Sequence, residues 1–382
     1  MKKIVFLTGT RADFGKLKSL MSISQNSSEF EVHIFVTGMH MNSLYGSTVD
    51  EVINAGFKNI YKYINHNLGE SMDRTLAKTI EGFSQYIENI KPDMIVVHGD
   101  RVETLAGAIV GSLNNILVAH IEGGEVSGTI DELIRHSVSK MSHIHLVANE
   151  EAKNRLIQLG EFKKSIFILG SPDLDLMNDE NLPDIHKCKS YYDIPFDQFA
   201  IAMFHPITTE YKNIKTYAKN FVDALIKSEI NYILIYPNND LGSKEVLKEF
   251  ERLKLLDRIK IFPSLRFEYF LRFLKESNFI IGNSSAGIRE APYYKVPTVD
   301  IGSRQNNRAK IDTIFNSSYE VTDILKTIDN VMKIDFKNEE TKNDEFHFGK
   351  GRSDKMFLKL LKSIELWEIS HQKQFQEHTN NE

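Results

Sequence analysis

Short apolar runs alternate with helical periods along almost the whole chain, and this alternation restricts the fold more than any other feature. Six runs in the first half end in glycine or a polar residue: KIVFLTG, EVHIFVTG, DMIVVHGD, NILVAHIEGG, IHLVANE and SIFILGS. Between them, Leu76, Ile80, Phe83 and Ile87 follow a helical period in MDRTLAKTIEGFSQYIENI. Strands that are apolar throughout and separated by helices are typical of parallel sheets covered on both faces.

The second half repeats this rhythm in FAIAMFHP, NYILIYPN, IKIFPS, NFIIGNSS and VPTVDIGS. Because 382 residues are many for one core, we predict an α/β protein of two Rossmann-like, doubly wound domains with an interdomain cleft. The N-terminal domain is predicted at 1–175 and the C-terminal domain at 195–352, after a proline-containing boundary near 170–197. Residues 353–382 are predicted to form a tail, helical from Ser353 to about Gln374, that packs back towards the N-terminal domain.

Composition and charge argue against several classes of partner. The formal net charge of −5 argues against nucleic acid or an anionic membrane as the main partner. No stretch approaches the 18 apolar residues of a membrane span, and the single cysteine, Cys188, allows no intramolecular disulfide. We therefore predict a soluble cytoplasmic protein. A few arginines and helix N-termini can still bind a small anion in an acidic protein.

Polar residues crowd the predicted carboxyl ends of strands in both halves, where doubly wound sheets bind ligands. In GNSSAGIRE, Ser284 and Ser285 offer hydroxyls and amides to a phosphate, and Gly287 lets a helix begin close to it. Glu290, one turn later, is placed to accept hydrogen bonds from ribose hydroxyls. An ordinary serine N-cap explains the same pattern equally well.

Cationic residues follow several of the same strand ends. Arg11, Arg101, Arg304 and Arg308 each come shortly after a predicted strand, and guanidinium groups suit phosphate oxygens. A surface salt bridge is the alternative for any one of them, and it is the favoured interpretation for Arg308. His205 ends the first strand of the second half, before a proline that blocks further strand pairing.

Three carboxylates form the sharpest candidate for catalysis. Asp100 ends MIVVHGD and Glu122 ends ILVAHIE, on strands that we expect to be neighbours, and Asp131 lies in the first turn of a helix that begins near Ile130. Carboxylates gathered together differ in pKa, which supplies both a proton donor and an acceptor near neutrality. The alternative for Asp131 is an ion pair with Arg135, four residues later on the border of the helix. The apolar stripe of that helix is predicted at Ile130, Leu133, Ile134, Val138 and Met141.

Four histidines raise the alternative of a metal site. His98 and His120 precede Asp100 and Glu122 by two residues, and His143 and His145 lie in SHIHLVA. SHIHLVA has the pattern of a strand interior, where histidines are more often hydrogen-bonded core residues than ligands. We predict neither a metal nor a cofactor.

Taken together, TGTRADFGKL, VTGMH, HGDR, HIEGGEVSGTIDELIRHSVSKMSHIHLVANE, GSPDLD, FHPITTE, YPNNDLGS, GNSSAGIREAP and GSRQNNR closely resemble the UDP-N-acetylglucosamine 2-epimerase family. The resemblance covers about residues 3–310 in order, and it is strongest to the hydrolysing branch of bacterial sialic-acid biosynthesis. It implies the glycosyltransferase-B type architecture and a homodimer or homotetramer. It also implies conversion of UDP-N-acetylglucosamine (UDP-GlcNAc) and water to N-acetylmannosamine and UDP, through elimination to 2-acetamidoglucal.

The resemblance also assigns roles to residues of this chain. It implies that the catalytic carboxylates are Asp100, Glu122 and Asp131, without deciding which of them takes the C2 proton. It implies UDP contacts at Arg11, Arg101, His205, Asn238, Ser284, Ser285, Glu290 and Arg304, with a backbone contact to the uracil at Leu265.

Four other functions stay open at this point. A related hydrolysing enzyme acts on UDP-2,4-diacetamido-2,4,6-trideoxyglucose on the legionaminic-acid route, and a non-hydrolysing epimerase returns a UDP-sugar. A glycosyltransferase of the same architecture passes the sugar to an acceptor. A sugar-nucleotide-binding protein without catalysis is disfavoured by three carboxylates at strand and helix ends.

Overall fold

The chain forms two α/β units in the computed structural model, which describes residues 1–45, 48–65, 70–127, 130–177, 182–305, 311–334, 349 and 351–377. The first unit comprises described residues within 1–125, 131–178 and 345–382, and the second those within 126–130 and 179–344. Across the described residues, no helix is long and apolar enough to cross a membrane.

Seven parallel strands form the sheet of the first unit: β1 (Lys2–Thr8), β2 (Phe30–Val36), β3 (Asn59–Lys62), β4 (Met94–His98), β5 (Leu117–Ile121), β6 (Ile144–Val147) and β7 (Ile166–Ile168). They lie in the order β3-β2-β1-β4-β5-β6-β7. The helices between them are α1 (Arg11–Gln25), α2 (Val49–Asn54), α3 (Met72–Ile90), α4 (Val102–Leu113), α5 (Ile130–Met141) and α6 (Glu150–Gln158). All residues of β4 and β5 are buried, as expected for strands covered on both faces.

Six parallel strands form the sheet of the second unit: β8 (Ala200–Met203), β9 (Tyr232–Ile235), β10 (Ile259–Phe262), β11 (Ile280–Gly282), β12 (Thr298–Ile301) and β13 (Ile314–Ser317). Their order is β10-β9-β8-β11-β12-β13. The helices are α7 (Ile185–Tyr192), α8 (Ile214–Lys227), α9 (Ser243–Phe250), α10 (Phe267–Glu276), α11 (Ala286–Arg289) and α12 (Val321–Val331). Among the 3₁₀ helices of the chain are Gly38–Met41, Pro172–Leu176, Thr208–Asn213 and Ala291–Tyr294.

Both sheets have the strand order of a Rossmann fold, which confirms the predicted pair of doubly wound α/β domains. In each sheet the order reverses beside the first strand, between β1 and β4 in one unit and between β8 and β11 in the other. The carboxyl ends of strands on either side of such a reversal leave a crevice that binds ligands. The loops after these four strands carry five of the predicted site residues: Asp100, Arg101, His205, Ser284 and Ser285.

Two helices have the predicted bounds, but the residues that they bury differ in part from the predicted apolar stripes. In α3, Phe83 and Ile87 are buried, whereas Leu76 and Ile80 are only partly buried. Gly82 lies on the buried face because the ring of Tyr63 packs against it, where a Cβ atom would clash. In α5, Leu133 of the predicted stripe is 63% exposed. Ile134 and Val138 of the stripe are buried as predicted, and Arg135 and Ser139 are buried with them.

The end of the chain forms two short helices, α13 (Ser353–Leu361) and α14 (Ile364–Trp367), so the prediction of one helix to about Gln374 was wrong. The carbonyl of Leu361 accepts a hydrogen bond from the Trp367 indole across the break (2.8 Å). Phe357, Leu361 and Leu366 are buried in the core of the first unit. The break between α13 and α14 therefore lies where the chain packs against this core.

Candidate active site

Asp100 lies in the turn after β4, beside the reversal of strand order in the first unit. Gly99 adopts a φ of +78°, which favours glycine, and Arg101 is the N-cap of α4, so the chain turns sharply there. β4 and β5 are neighbours, with His98 opposite Ile121, as the sequence predicts. Asp100 and Glu122 therefore leave the same edge of the sheet.

A buried arginine, Arg135 of α5, lies at the centre of the carboxylates. Its side chain is fully buried, its Nη2 atom donates to Oδ2 of Asp100, and its Nη1 atom donates to the carbonyl oxygen of Glu125 (3.3 Å). Burial acts to lower the pKa of Arg135, but the charges of four carboxylates leave that pKa above its ordinary value. These carboxylates are Asp100, Glu125, Glu122 and Asp131. Arg135, which the sequence placed on the border of α5, thus pairs with Asp100 and lies near enough to Glu122 and Asp131 for their charges to act on it.

Glu122 follows β5 in a left-handed conformation, with a φ of +68°. This conformation is costly for a residue other than glycine, and such residues are concentrated at functional sites. One carboxylate oxygen of Glu122 lies 3.1 Å from Nε2 of His98 and 3.7 Å from Nζ of Lys16. The same ammonium lies 3.6 Å from Asp173, and all four side chains are buried. Two buried carboxylates therefore share one lysine.

Asp13 is a further carboxylate of this edge that the sequence analysis did not single out. It forms a capping box with Thr10 at the start of α1 and also accepts hydrogen bonds from Thr8 and the Gly9 amide. Burial raises the pKa of Asp13 above its ordinary value, although these hydrogen bonds and the nearby His98 act in the opposite direction. Asp13 and Lys16 lie one turn apart on α1. This helical spacing after the first strand was the sequence signal that could have identified both as candidate site residues.

Among the four histidines, His120 is a structural residue of the core. Its Nε2 atom donates to the carbonyl oxygen of Gly99 (2.8 Å), so Nδ1 accepts from the hydroxyl of Ser139 (3.1 Å). Burial lowers the pKa of His120 to about 3, which keeps the ring neutral at pH 7. His145 is also buried and bonds Glu161 (3.0 Å). Within the described part of the chain, no three His, Cys, Asp or Glu residues are grouped to hold a metal ion.

The two predicted phosphate-binding arginines of the first unit pair with carboxylates. Arg11, at the start of α1, lies 2.7 Å from Glu51, and Arg101 lies 3.6 Å from Glu103. Glu103 is 2% exposed and lies against Gly38, where a Cβ atom would come within 2.8 Å of its carboxylate. Both guanidinium groups therefore lie at the carboxyl edge of the sheet, held by neighbouring acids.

In the second unit, Asn283 holds the backbone of His205 between β8 and β11. The His205 amide donates to Oδ1 of Asn283 (2.7 Å), and Nδ2 of Asn283 donates to the His205 carbonyl (2.9 Å). The Asn238 amide donates to Nδ1 of the His205 ring (3.0 Å). In the neutral ring, the proton is therefore on Nε2, which is a hydrogen-bond donor. The sequence predicted UDP contacts for His205 and Asn238 but no role for Asn283, which is fully buried and lies within the GNSS motif.

In the segment after β11, Gly287 does not have the role that the sequence predicted for it. The helix that contains Gly287, α11, is only four residues long. A Cβ atom at position 287 would lie 2.5 Å from the side chain of Thr298 on β12. The requirement for glycine is thus close packing of α11 on the sheet. Ser284 and Ser285 form the loop between β11 and α11, and Glu290, which follows α11, is 2% exposed.

Arg304 and Leu265 are the remaining predicted residues of the second unit. Nη1 of Arg304 donates to the carbonyl oxygen of Asn283 (3.2 Å), which places this cation beside the loop after β11. Leu265 is buried just before α10. Burial raises the pKa of the neighbouring Asp300 to about 7, against the charge of Arg304. Arg308 lies outside the described residues.

Comparison with known proteins places this geometry in a family context. The family model described as UDP-N-acetylglucosamine 2-epimerase matches residues 22–362. A UDP-N-acetylglucosamine 2-epimerase of Neisseria meningitidis serogroup B is 47% identical over 98% of this chain and 99% of its own length. The hydrolysing UDP-N,N'-diacetylbacillosamine 2-epimerase of Legionella pneumophila is 34% identical over 96% and 97%. The polysialic acid biosynthesis protein P7 of Escherichia coli is 32% identical over 86% and 85%.

A solved structure agrees with the fold. The UDP-GlcNAc 2-epimerase of Methanocaldococcus jannaschii, in complex with UDP-GlcNAc and UDP, superposes with a TM-score of 0.79. It covers 94% of this chain and 99% of its own length at 23% identity. At that level of identity the superposition supports the architecture of two Rossmann-like domains.

Proposed function

Because the chain belongs to the UDP-N-acetylglucosamine 2-epimerase family, we propose that it hydrolyses UDP-GlcNAc to N-acetylmannosamine and UDP. The observation that carries the proposal is the set of three carboxylates, Asp100, Glu122 and Asp131, around the buried Arg135. The 47% identity to the Neisseria enzyme supports the substrate, and the name of the Legionella relative supports hydrolysis.

The reaction needs proton transfers at C2 and at oxygen, which carboxylates can perform. In the first step one carboxylate takes the C2 proton while the C1–O bond breaks, and this gives UDP and 2-acetamidoglucal. In the second step water adds its hydroxyl at C1, and a proton returns to C2 from the opposite face, which gives N-acetylmannosamine. Arg135 pairs with Asp100 beside this chemistry, and the ammonium group of Lys16 lies between Glu122 and Asp173.

Departure of UDP places negative charge on the diphosphate, so donors that meet this charge lower the barrier. We assign this role to Nε2–H of His205, to the Ser284–Ser285 loop, and to Arg304, Arg11 and Arg101. Glu290 is assigned to the ribose and Leu265 to the uracil. His205 suits the role because the Asn238 amide already occupies its Nδ1 atom.

A second candidate substrate is a UDP-2,4-diacetamido-2,4,6-trideoxy sugar, because the Legionella relative named for such a substrate is 34% identical. The 47% identity to the Neisseria relative favours UDP-GlcNAc. The N-acetylmannosamine product, together with the relative named for polysialic acid biosynthesis, supports a role in supplying sialic-acid synthesis. Comparison of kcat/KM for the two sugars separates the candidates, and a higher value for UDP-GlcNAc is expected.

Proton NMR in D₂O tests the proposed reaction. We expect UDP-GlcNAc to give free N-acetylmannosamine with deuterium at C2 and one UDP per sugar, since C2 is reprotonated from solvent-derived acid. Turnover is expected to persist in the presence of a chelator. A UDP-linked N-acetylmannosamine product identifies a non-hydrolysing epimerase instead, and a glucose-configured sugar without deuterium at C2 contradicts epimerisation.

Replacing Asn283 with alanine is expected to weaken UDP binding about tenfold, or about 1.4 kcal/mol, because His205 loses both bonds that hold its backbone. Isothermal titration with UDP measures the change. Asn231→Ala is the matched control, since its amide bonds only an exposed carbonyl of Gln198. Equal UDP affinity in Asn283→Ala and the wild type contradicts the role given to His205.

A further inference from the structure

Beyond α14, residues 371–376 run as a non-helical segment, the terminal strap, across the surface of the first unit. The His371 ring donates to the carbonyl oxygen of Asn115 (2.5 Å), and its carbonyl oxygen accepts from the His143 ring (3.1 Å). The Gln376 amide donates to the carbonyl oxygen of Gly160 (3.0 Å). The terminal strap is thus fixed at both ends by hydrogen bonds.

Lys373, in the middle of the terminal strap, places its ammonium group in a largely buried polar cluster. Its Nζ atom donates to the carbonyl oxygens of Ser139 (2.8 Å) and Ser142 (2.6 Å) and to the carboxylate of Glu161 (2.6 Å). An ammonium group has three donors, so these acceptors use all of them. Lys140 is the other cation on Glu161, at 2.9 Å. None of these contacts involves a residue that takes part in the proposed reaction, so Lys373 can affect that reaction only through the elements that it holds.

The carboxylate of Glu161 lies between two ammonium groups in this cluster, those of Lys373 and Lys140. Burial acts to raise the pKa of Glu161, but its hydrogen bond to His145 and the charge of Lys373 bring that pKa to about 2. Burial lowers the pKa of Lys373 to about 8, against the attraction of Glu161. Lys373 is therefore cationic at pH 7.

Of the two carbonyls that Lys373 binds, that of Ser139 lies in the last turn of α5 and that of Ser142 directly follows the helix. The Ser139 carbonyl also accepts from the Ser142 backbone amide (3.1 Å). The last carbonyls of a helix carry partial negative charge, so a cation bound there stabilises the helix end. The first turn of the same helix carries Asp131, and Arg135 follows one turn later. The helix thus has the lysine of the terminal strap at one end and the proposed active site at the other.

A second connection leads from the same helix end to Asp100. The hydroxyl of Ser139 donates to Nδ1 of His120, and Nε2 of His120 donates to the carbonyl oxygen of Gly99. Gly99 immediately precedes Asp100. The position of the end of α5 therefore influences both ends of the Asp100–Arg135 ion pair.

We propose that Lys373 is a positioning residue for the epimerase reaction, which it serves by fixing the end of α5. The proposal rests on the proposed function, since it concerns the carboxylates assigned to that reaction. A carboxylate displaced by about 1 Å can slow a reaction by about a hundredfold. A poorly placed proton donor also leaves the glucal intermediate time to escape before water adds.

The test compares Lys373→Met, Lys373→Arg and Lys362→Met in the full chain. Lys362, also near the chain end, forms an exposed ion pair with Glu29 and is the matched control. We expect Lys373→Met to lower kcat about 10- to 100-fold with KM within about twofold, and to release more 2-acetamidoglucal per N-acetylmannosamine. In Lys373→Arg the ratio of 2-acetamidoglucal to N-acetylmannosamine should return most of the way to the wild-type value, because a guanidinium group can donate to the same carbonyls.

The ratio of glucal to N-acetylmannosamine separates positioning from folding, since it does not depend on the amount of folded enzyme. A wild-type ratio in Lys373→Met overturns the proposal, whatever happens to thermal stability. Should Lys373→Met not fold, Ser139→Ala interrupts the connection to His120 and is expected to raise the same ratio; an unchanged ratio there also overturns the proposal.

Hydrogen exchange gives a readout that does not depend on the reaction. The amides of α5 are expected to exchange faster in Lys373→Met than in Lys362→Met, and equal protection contradicts the contact between the terminal strap and α5. If the wild type forms no N-acetylmannosamine, the proposed function fails, and this exchange experiment still decides whether Lys373 fixes the helix.

Discussion

Replacement of Arg135 by methionine is expected to destabilise the protein by about 3 kcal/mol and to abolish turnover. The guanidinium group of Arg135 is fully buried and meets Asp100, and its removal leaves that carboxylate beside Glu122 and Asp131 without their common cation. The change also removes the ion pair that holds Asp100 in place, so turnover is expected to be lost with it. Urea denaturation measures the loss of stability, and NMR product analysis measures the turnover.

Arg74→Met is the control for this experiment, because the Arg74 side chain is exposed and its partner Glu70 keeps its hydrogen bonds from Lys78. This variant is expected to change stability by less than about 0.5 kcal/mol. A double variant, Arg135→Met with Asp100→Asn, removes both charges and should recover part of the stability without the activity. Full activity in Arg135→Met would show that the carboxylates do not depend on this cation.

Glu122→Gln is expected to lower kcat by about 10²- to 10⁴-fold, which is the usual contribution of a single acid or base. Glutamine keeps the volume of the side chain but cannot take up a proton, and Glu122 lies between His98 and Lys16 in a left-handed conformation that positions it. UDP affinity should stay within about threefold of the wild type, because Glu122 is not among the residues assigned to UDP. Steady-state kinetics and isothermal titration with UDP measure the two effects.

Glu132→Gln is the matched control, since Glu132 lies on α5 near the same carboxylates but pairs with His136 at the surface (3.5 Å). Its kcat is expected to stay within about twofold of the wild type. If both variants lose activity equally, charge near α5 matters but Glu122 has no specific role. If neither does, the proposed set of catalytic carboxylates is wrong.

Much of the fold could be predicted because buried parallel strands leave a strong pattern. Runs such as KIVFLTG and DMIVVHGD became β1 and β4, since the central residues of such a strand must be apolar when helices cover both faces. The edge strands β3 and β13 were missed. The sequence of β3, NIYK, is mostly exposed, and an edge strand with little burial has no apolar pattern to detect.

The sequence by itself determined the two Rossmann-like domains and the strand ends where Asp100, Glu122 and His205 lie, because local periodicity and turn residues encode these positions. Only the tertiary structure decided the partners of these residues. The sequence pattern offered Asp131, on the same helix, as an alternative partner of Arg135. In the structure Arg135 pairs with Asp100, 35 positions earlier, and Lys373 reaches Ser139, 234 positions earlier. Contacts at such separation depend on how helices pack on the sheet, and a single sequence carries no periodic signal for them.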